Sequence, residues 1–315
     1  MSMLFGLTVF VLLVMQAFGA TLAAPSRSIA GPVDVISPGV PVPKFDHGLT
    51  ASFGPACHYA PCTVGLFSPS TGKRFAVNLW NDTAGTVAVY DFAVSSNNMI
   101  AFATRRVAGL AVPEIRLFDA SGNSIGSIAT GSYIATKIAF DAAGDLWALG
   151  GKDSKGEDAS DDYNVLRKYS APGGSLLASY LPRSSFHTPH EPGINTGATG
   201  DSQLSVTKTG VALYNAPTEE WIEVASDGTI VRRELIAEAS SQLAPRRIVV
   251  TASGKIVIAK NGRGTLYSFD SGSAGYSKIP SSAAGILVGV DGDHLVFARM
   301  TSNGGGGLFE WRHVE

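Results

Sequence analysis

Two of the chain's six histidines stand three positions apart in Phe186-His187-Thr188-Pro189-His190-Glu191-Pro192-Gly193, next to a glutamate. Neutral imidazole binds zinc or iron, and a neighbouring carboxylate completes such a site or acts as a general base. His187, His190 and Glu191 are therefore the first candidate metal-ligating set. The helical His-Glu-x-x-His arrangement of a metalloprotease is excluded, because the order differs and Pro189 and Pro192 forbid the helix. The competing reading is a proline-braced surface loop whose histidines meet solvent or backbone. Both stay open.

A second candidate lies shortly upstream. Asp153, Glu157, Asp158, Asp161 and Asp162 place five carboxylates in ten residues, an oxygen density that suits calcium. The spacing is not Asp-x-Asp-x-Asp-Gly, and Lys152 and Lys155 offset part of the charge, so a solvated loop is the alternative. A divalent metal is thus the one cofactor class these residues raise, and no residue is assigned a catalytic role. Gly122-Asn123-Ser124-Ile125-Gly126 matches the nucleophile-elbow pattern but continues as a strand where that chemistry needs a helix, so it is set aside. No Gly-rich phosphate loop leads into a helix.

Cys57 and Cys62 are the only cysteines. In an oxidising compartment they read as a disulfide closing a small loop; a zinc site with His58 lacks a second ligand pair. Such a compartment is indicated by the N-terminus. An apolar run from Leu4 to Phe18 leads into Thr21-Leu22-Ala23, where small residues flank a cleavage position after Ala23, with Ala24 a near alternative. Met1-Ser2-Met3 carries no Lys or Arg, and the run is long enough to span a bilayer if uncut, so an anchor is the alternative. Residues 1–23 are read as a signal peptide and the protein as secreted or periplasmic. Asn81-Asp82-Thr83 is a glycosylation sequon.

The elements that must position these residues are short strands. A strand, a turn ending in Gly and a second apolar strand recur, most clearly at 138–149 (Ile-Ala-Phe-Asp-Ala-Ala-Gly-Asp-Leu-Trp-Ala-Leu), and again at 203–214, 248–258 and 285–297. A second hairpin follows each, as in 114–128, 165–177, 221–231 and 265–272. Two hairpins make four antiparallel strands, the content of one propeller blade. Gly144, Gly210, Gly254 and Gly292 mark first hairpins at steps of 66, 44 and 38 residues, so the first step carries an insertion. That insertion contains both candidate loops.

An all-β propeller over 49–315 follows, with six four-stranded blades expected and five or seven as alternatives. Residues 63–77 either complete a sixth blade with earlier strands or pair with the C-terminal strand 308–314, closing the ring. The Pro-rich stretch 24–48 reads as a linker or strap. Segment 233–242 fits either a short helix or a strand and loop. Trp80, Trp147, Trp221 and Trp311 are expected to pack between blades.

The units Ile-Ala-Phe-Asp-Ala-Ala-Gly-Asp-Leu-Trp-Ala (138–148) and Leu-Arg-Lys-Tyr-Ser-Ala-Pro-Gly-Gly (166–174) resemble the NHL-type repeat of six-bladed β-propellers. The resemblance covers about two thirds of the chain. It implies the fold, and it leaves the activity open, because such propellers include binding scaffolds, lactonases and lyases.

Bulk composition narrows the partners. With 45% hydrophobic and 16% charged residues the chain can bury a core, and a net charge of −2 argues against nucleic acid. Arg105-Arg106, Arg232-Arg233 and Arg246-Arg247 are isolated pairs and read as scattered surface charge. The reading is an exported, monomeric binding or interaction module for a protein or carbohydrate, meeting a membrane only if the N-terminus stays uncleaved. The alternative is a metal-assisted hydrolase or lyase acting on a lactone or carbohydrate through the 187–191 loop. A third is a cell-envelope structural protein held by that N-terminal segment.

Overall fold

The computed structural model describes residues 21–31, 43–51, 56–57, 62–80, 87–106, 112–152, 162–185, 202–215, 220–235, 247–259, 265–269, 276–280, 285–300 and 307–315, with the backbone alone at 56–57, 265, 280 and 300.

Strand β1 (Arg27–Gly31) opens the described chain. Blade 1 is built from β2 (Lys44–Asp46), β3 (Leu49–Ala51), β5 (Cys62–Phe67) and β6 (Arg74–Trp80), while the two-residue β4 (Ala56–Cys57) leaves it to pair with blade 2. Blade 2 holds β7 (Val87–Val94), β8 (Ile100–Arg106), β9 (Val112–Phe118) and β10 (Ser124–Ala129). Blade 3 holds β11 (Tyr133–Phe140), β12 (Leu146–Lys152), β13 (Asn164–Tyr169) and β14 (Leu176–Pro182), after which Arg183–Ser185 form a 3-10 turn. Blade 4 holds β15 (Gln203–Val206), β16 (Gly210–Asn215), β17 (Glu220–Ala225) and β18 (Ile230–Leu235). Blade 5 holds β19 (Arg247–Val250), β20 (Ile256–Ala259), β21 (Thr265–Phe269) and β22 (Ser277–Pro280). Blade 6 holds β23 (Ile286–Asp291), β24 (His294–Met300) and β25 (Gly307–His313), and β1 is its fourth strand.

The protein is therefore a six-bladed β-propeller. The turns explain the sequence repeat. In blade 3 the carboxylate of Asp141 accepts the backbone N–H groups of Ala143 and Asp145 at 3.0 Å each, and Gly144 takes φ +86° to turn the chain back. Thr251 does the same work in blade 5, accepting Lys255 N–H at 3.0 Å with Gly254 at φ +93°.

The first sequence alternative for 63–77 holds, since that hairpin completes a blade with earlier strands, while the ring is closed by a different pairing. The 63–77 hairpin joins β2 and β3 in blade 1, but the C-terminal strand β25 pairs with β1, from within the stretch read as a strap. Beyond β1 the chain continues along β25: Ala23 N–H donates to His313 C=O at 3.0 Å and Thr21 N–H to Glu315 C=O at 3.1 Å. An N-terminal strand on the last blade ties the two ends and covers an edge that would otherwise offer unpaired backbone groups. Arg233–Leu235 lie in β18, so the strand alternative holds for the described part of 233–242.

Each blade packs apolar residues against both of its neighbours, so the core is divided among the seams. Six apolar layers, among the described residues, each join two successive blades. All four tryptophans sit in them. Trp221 of blade 4 stacks on Phe269 of blade 5 with centroids 4.8 Å apart, and Trp311 of blade 6 meets Phe45 of blade 1 edge-on at 6.0 Å. At that last seam Gly289 permits backbone contact, since a Cβ there would lie 2.1 Å from Phe45 O.

Candidate functional site

The inner strands β2, β7, β11, β15, β19 and β23 line a central cavity of about 140 Å3, whose walls include Lys44, Asp91, Lys137, Gln203, Ser205 and Arg247. A strand presents alternate residues to opposite faces, so Lys44 and Asp46 of β2, Asp91 of β7, Lys137 of β11 and Arg247 of β19 reach the lumen while apolar neighbours such as Phe45 pack into the seams.

Asp91 is 4% exposed and would be costly to bury alone. Lys44 Nζ donates to its Oδ1 at 3.0 Å and its Oδ2 at 2.9 Å, and Ile138 N–H donates to Oδ2 at 2.9 Å. The same ammonium reaches Phe92 C=O at 2.6 Å and Ile138 C=O at 3.3 Å. Two side chains thus tie blades 1, 2 and 3 at the lumen. Asp46 is likewise engaged: Oδ2 accepts Val94 N–H at 2.9 Å and Oδ1 lies 2.8 Å from His47 Nδ1. The Asp46 hydrogen bond raises the His47 pKa against the opposing effect of burial.

Arg247 enters the same lumen from the start of β19. Burial lowers its pKa to about 10, opposed by the fields of Asp91 and Asp46, so it remains a cation at neutral pH. One guanidinium nitrogen reaches Pro43 C=O at 3.4 Å, and its Nε is buried with no hydrogen-bond partner among the described residues. Reading this arginine as scattered surface charge is thereby corrected: its accessible surface faces the lumen. The other pairs lie on the blades, Arg232 over Trp221 at 4.7 Å and Arg106 over Trp80 at 5.7 Å.

At the mouth formed by hairpin turns, a depression of about 360 Å3 is bounded by Arg27, His47, Ser95, Asn98 and Asp291. Asp291 accepts Trp311 Nε1–H at 2.9 Å, and Arg27 lies over the same indole at 4.8 Å.

Of the sequence candidates only Asp162 falls among the described residues. His187, His190, Glu191, Asp153, Glu157, Asp158 and Asp161 lie outside the described residues. Asp162 is described and exposed, and it accepts the backbone N–H and the hydroxyl of Ser184 at 2.7 Å each. These bonds hold its carboxyl below the ordinary range. Arg183 N–H also donates to Tyr163 C=O at 2.9 Å. The connection between β12 and β13, which carries the acidic residues, and that between β14 and β15, which carries the histidines, are therefore fastened together at their roots. Among the described residues no three His, Cys, Asp or Glu side chains are grouped to hold a metal. Cys62 is buried at the start of β5 and Cys57 lies in β4, its side chain outside the description; a link between them would join blade 1 to the inner strand of blade 2. The apolar run Leu4 to Phe18 also lies outside the described residues.

The lumen residues carried a weak sequence signal. Asp91 interrupts Val-Ala-Val-Tyr-Asp-Phe-Ala-Val and Lys137 interrupts Tyr-Ile-Ala-Thr-Lys-Ile-Ala-Phe, each a single charge in an apolar strand. Only the ring arrangement reveals that such charges converge.

No family model matches the chain, and no curated protein matches it. Solved structures match over most of its length. A luciferin-regenerating enzyme aligns with TM-score 0.53 and 10% identity over 93% of this chain and 97% of its own. Regucalcin from Agrobacterium tumefaciens, a calcium-binding protein, aligns with TM-score 0.51 and 11% identity over 93% and 96%. A protein of unknown function from Bacteroides caccae aligns with TM-score 0.53 and 11% identity over 85% and 93%. At such identities the likeness establishes the propeller fold alone, which serves enzymes and binding proteins alike.

Proposed function

We propose that this chain is an exported, monomeric β-propeller that binds a protein or carbohydrate without transforming it, its repeats belonging to the NHL-like kind. The observation that carries the reading is the engagement of the two lumen carboxylates. A general base or metal ligand needs lone pairs directed at substrate or ion. Asp91 directs its own at Lys44 and Ile138, and Asp46 at Val94 and His47, so both serve as braces between blades. Binding is assigned to the face bearing the long connections of blade 3. The test is capture on protein and glycan arrays by the mature chain, beside a panel of lactones and glycosides assayed for turnover. The reading expects saturable binding that weakens when 186–197 is replaced by a Gly/Ser segment of equal length, with turnover at background. Turnover abolished by the same replacement overturns it.

One observation favours the alternative, a metal-assisted hydrolase or lyase acting on a lactone or carbohydrate. Asp162 and Ser184 join the roots of the acidic and histidine connections, which would supply His187, His190 and Glu191 with nearby carboxylates. Metal analysis separates the two readings.

A further inference from the structure

We propose that the central channel binds a small oxyanion, a carboxylate- or phosphate-type group, at Arg247. The lumen wall contains three cations, Lys44, Lys137 and Arg247, and two carboxylates, Asp46 and Asp91. Lys44 is committed to Asp91 at 2.9 Å and to two backbone carbonyls. Asp46 is committed to Val94 and His47. Arg247 makes no direct carboxylate contact among the described residues, and its Nε–H is buried with no partner there.

A guanidinium is a planar fork of donors that matches carboxylate and phosphate oxygens two at a time. In a lumen of low dielectric an incompletely paired cation draws an anion more strongly than it would in water. Burial already lowers the basicity of Arg247, the expected result of desolvation exceeding the attraction of Asp91 and Asp46. An anion beside Arg247 relieves that imbalance. Lys137, on β11, lines the same wall, and Ser205, on β15, places a hydroxyl-bearing residue there. The cavity, about 140 Å3, exceeds the ~30 Å3 share of one water and accommodates an inorganic oxyanion or a short carboxylic acid. The inference is independent of whether the loop face binds a partner or turns over a substrate.

The experiment is calorimetric titration of the mature chain with inorganic phosphate and, separately, acetate, in a buffer free of other oxyanions, with chloride at matched ionic strength as control. The expected result is one saturable site for at least one oxyanion, with no response to chloride. Phosphate binding alone identifies a phosphate-type ligand, and acetate binding identifies a carboxylate. Arg247→Gln weakens the interaction by about tenfold or more, as loss of charge-assisted hydrogen bonds requires. Arg247→Lys keeps the charge and loses the fork, so it also binds more weakly, and it decides the matter if Arg247→Gln fails to fold. Failure of the wild-type chain to bind either anion overturns the proposal, as does undiminished binding in a folded Arg247 variant.

Discussion

Lys44 Nζ lies 2.9 Å from Asp91 Oδ2 across the seam between blades 1 and 2, and that oxygen also accepts Ile138 N–H from blade 3. One carboxylate therefore serves three blades at the lumen. A propeller blade cannot bury both faces alone, so stability resides in the seams, and a polar clasp at the lumen fixes the order in which they meet.

Removing the carboxylate should be costly. Asp91→Ala leaves the Lys44 ammonium and Ile138 N–H without their partner, and a loss of about 3 kcal/mol is expected, the lower end for breaking a buried pair because Lys44 keeps some exposure. The double variant Lys44→Met/Asp91→Leu should recover part of it. Urea unfolding followed by tryptophan fluorescence checks both values, and a single variant of wild-type stability would refute the clasp.

Blade 6 has its own acid-sensitive brace. Glu310 is 3% exposed; burial raises its pKa, but hydrogen bonds and charge from Arg312 at 2.7 Å and Arg299 at 2.8 Å win, so the net shift is downward. A group whose folded pKa is depressed stabilises above its unfolded pKa and ceases to do so as pH falls through the folded one. Glu310→Gln should therefore lower the unfolding midpoint at pH 7, with the gap to wild type closing progressively below about pH 4.5. A gap that persists unchanged at acid pH would mean that the ion pairs contribute nothing.

Much of this architecture was legible in the sequence, for a physical reason. Hairpin turns need an acid or hydroxyl that caps backbone N–H groups and a residue tolerating positive φ, so Asp141…Gly144 and Thr251…Gly254 leave a repeating trace. The lumen left only single charges in apolar strands, because it is assembled from short inner strands of all six blades that are far apart in the chain. Arg247 looked like half of an ordinary basic pair until β19 placed it in the channel. The role of residues 27–31 was hidden for a similar reason: an outer strand such as β1 has an exposed face and no regular apolar alternation to announce it.

That strand yields a third prediction. A chain beginning at Pro32 loses β1 and its five-residue pairing with β25, which exposes an edge. Light scattering should show concentration-dependent self-association, with a lower melting temperature. Cleavage after Ala23 retains β1 and should leave the protein monomeric. A truncated chain that stays monomeric and equally stable would show that β1 is dispensable.

The Cys57–Cys62 disulfide remains a proposal with a modest expected effect. Intact-mass measurement of the protein purified without reductant should show it lighter by two hydrogens than after reduction, with no thiol open to alkylation. Cys57→Ser/Cys62→Ser should cost about 2 kcal/mol, since a short loop restricts the unfolded chain little. Alkylation of both residues without reductant would remove the disulfide from the account.

The central claim, binding without metal-assisted chemistry, is tested most directly by elemental analysis of protein purified without a histidine tag or chelator, beside a His187→Ala/His190→Ala variant. The account predicts that zinc, iron and manganese stay well below one equivalent in both proteins. Stoichiometric zinc, iron or manganese in the wild type that is lost in the variant would contradict it and establish the 187–191 segment as a metal centre.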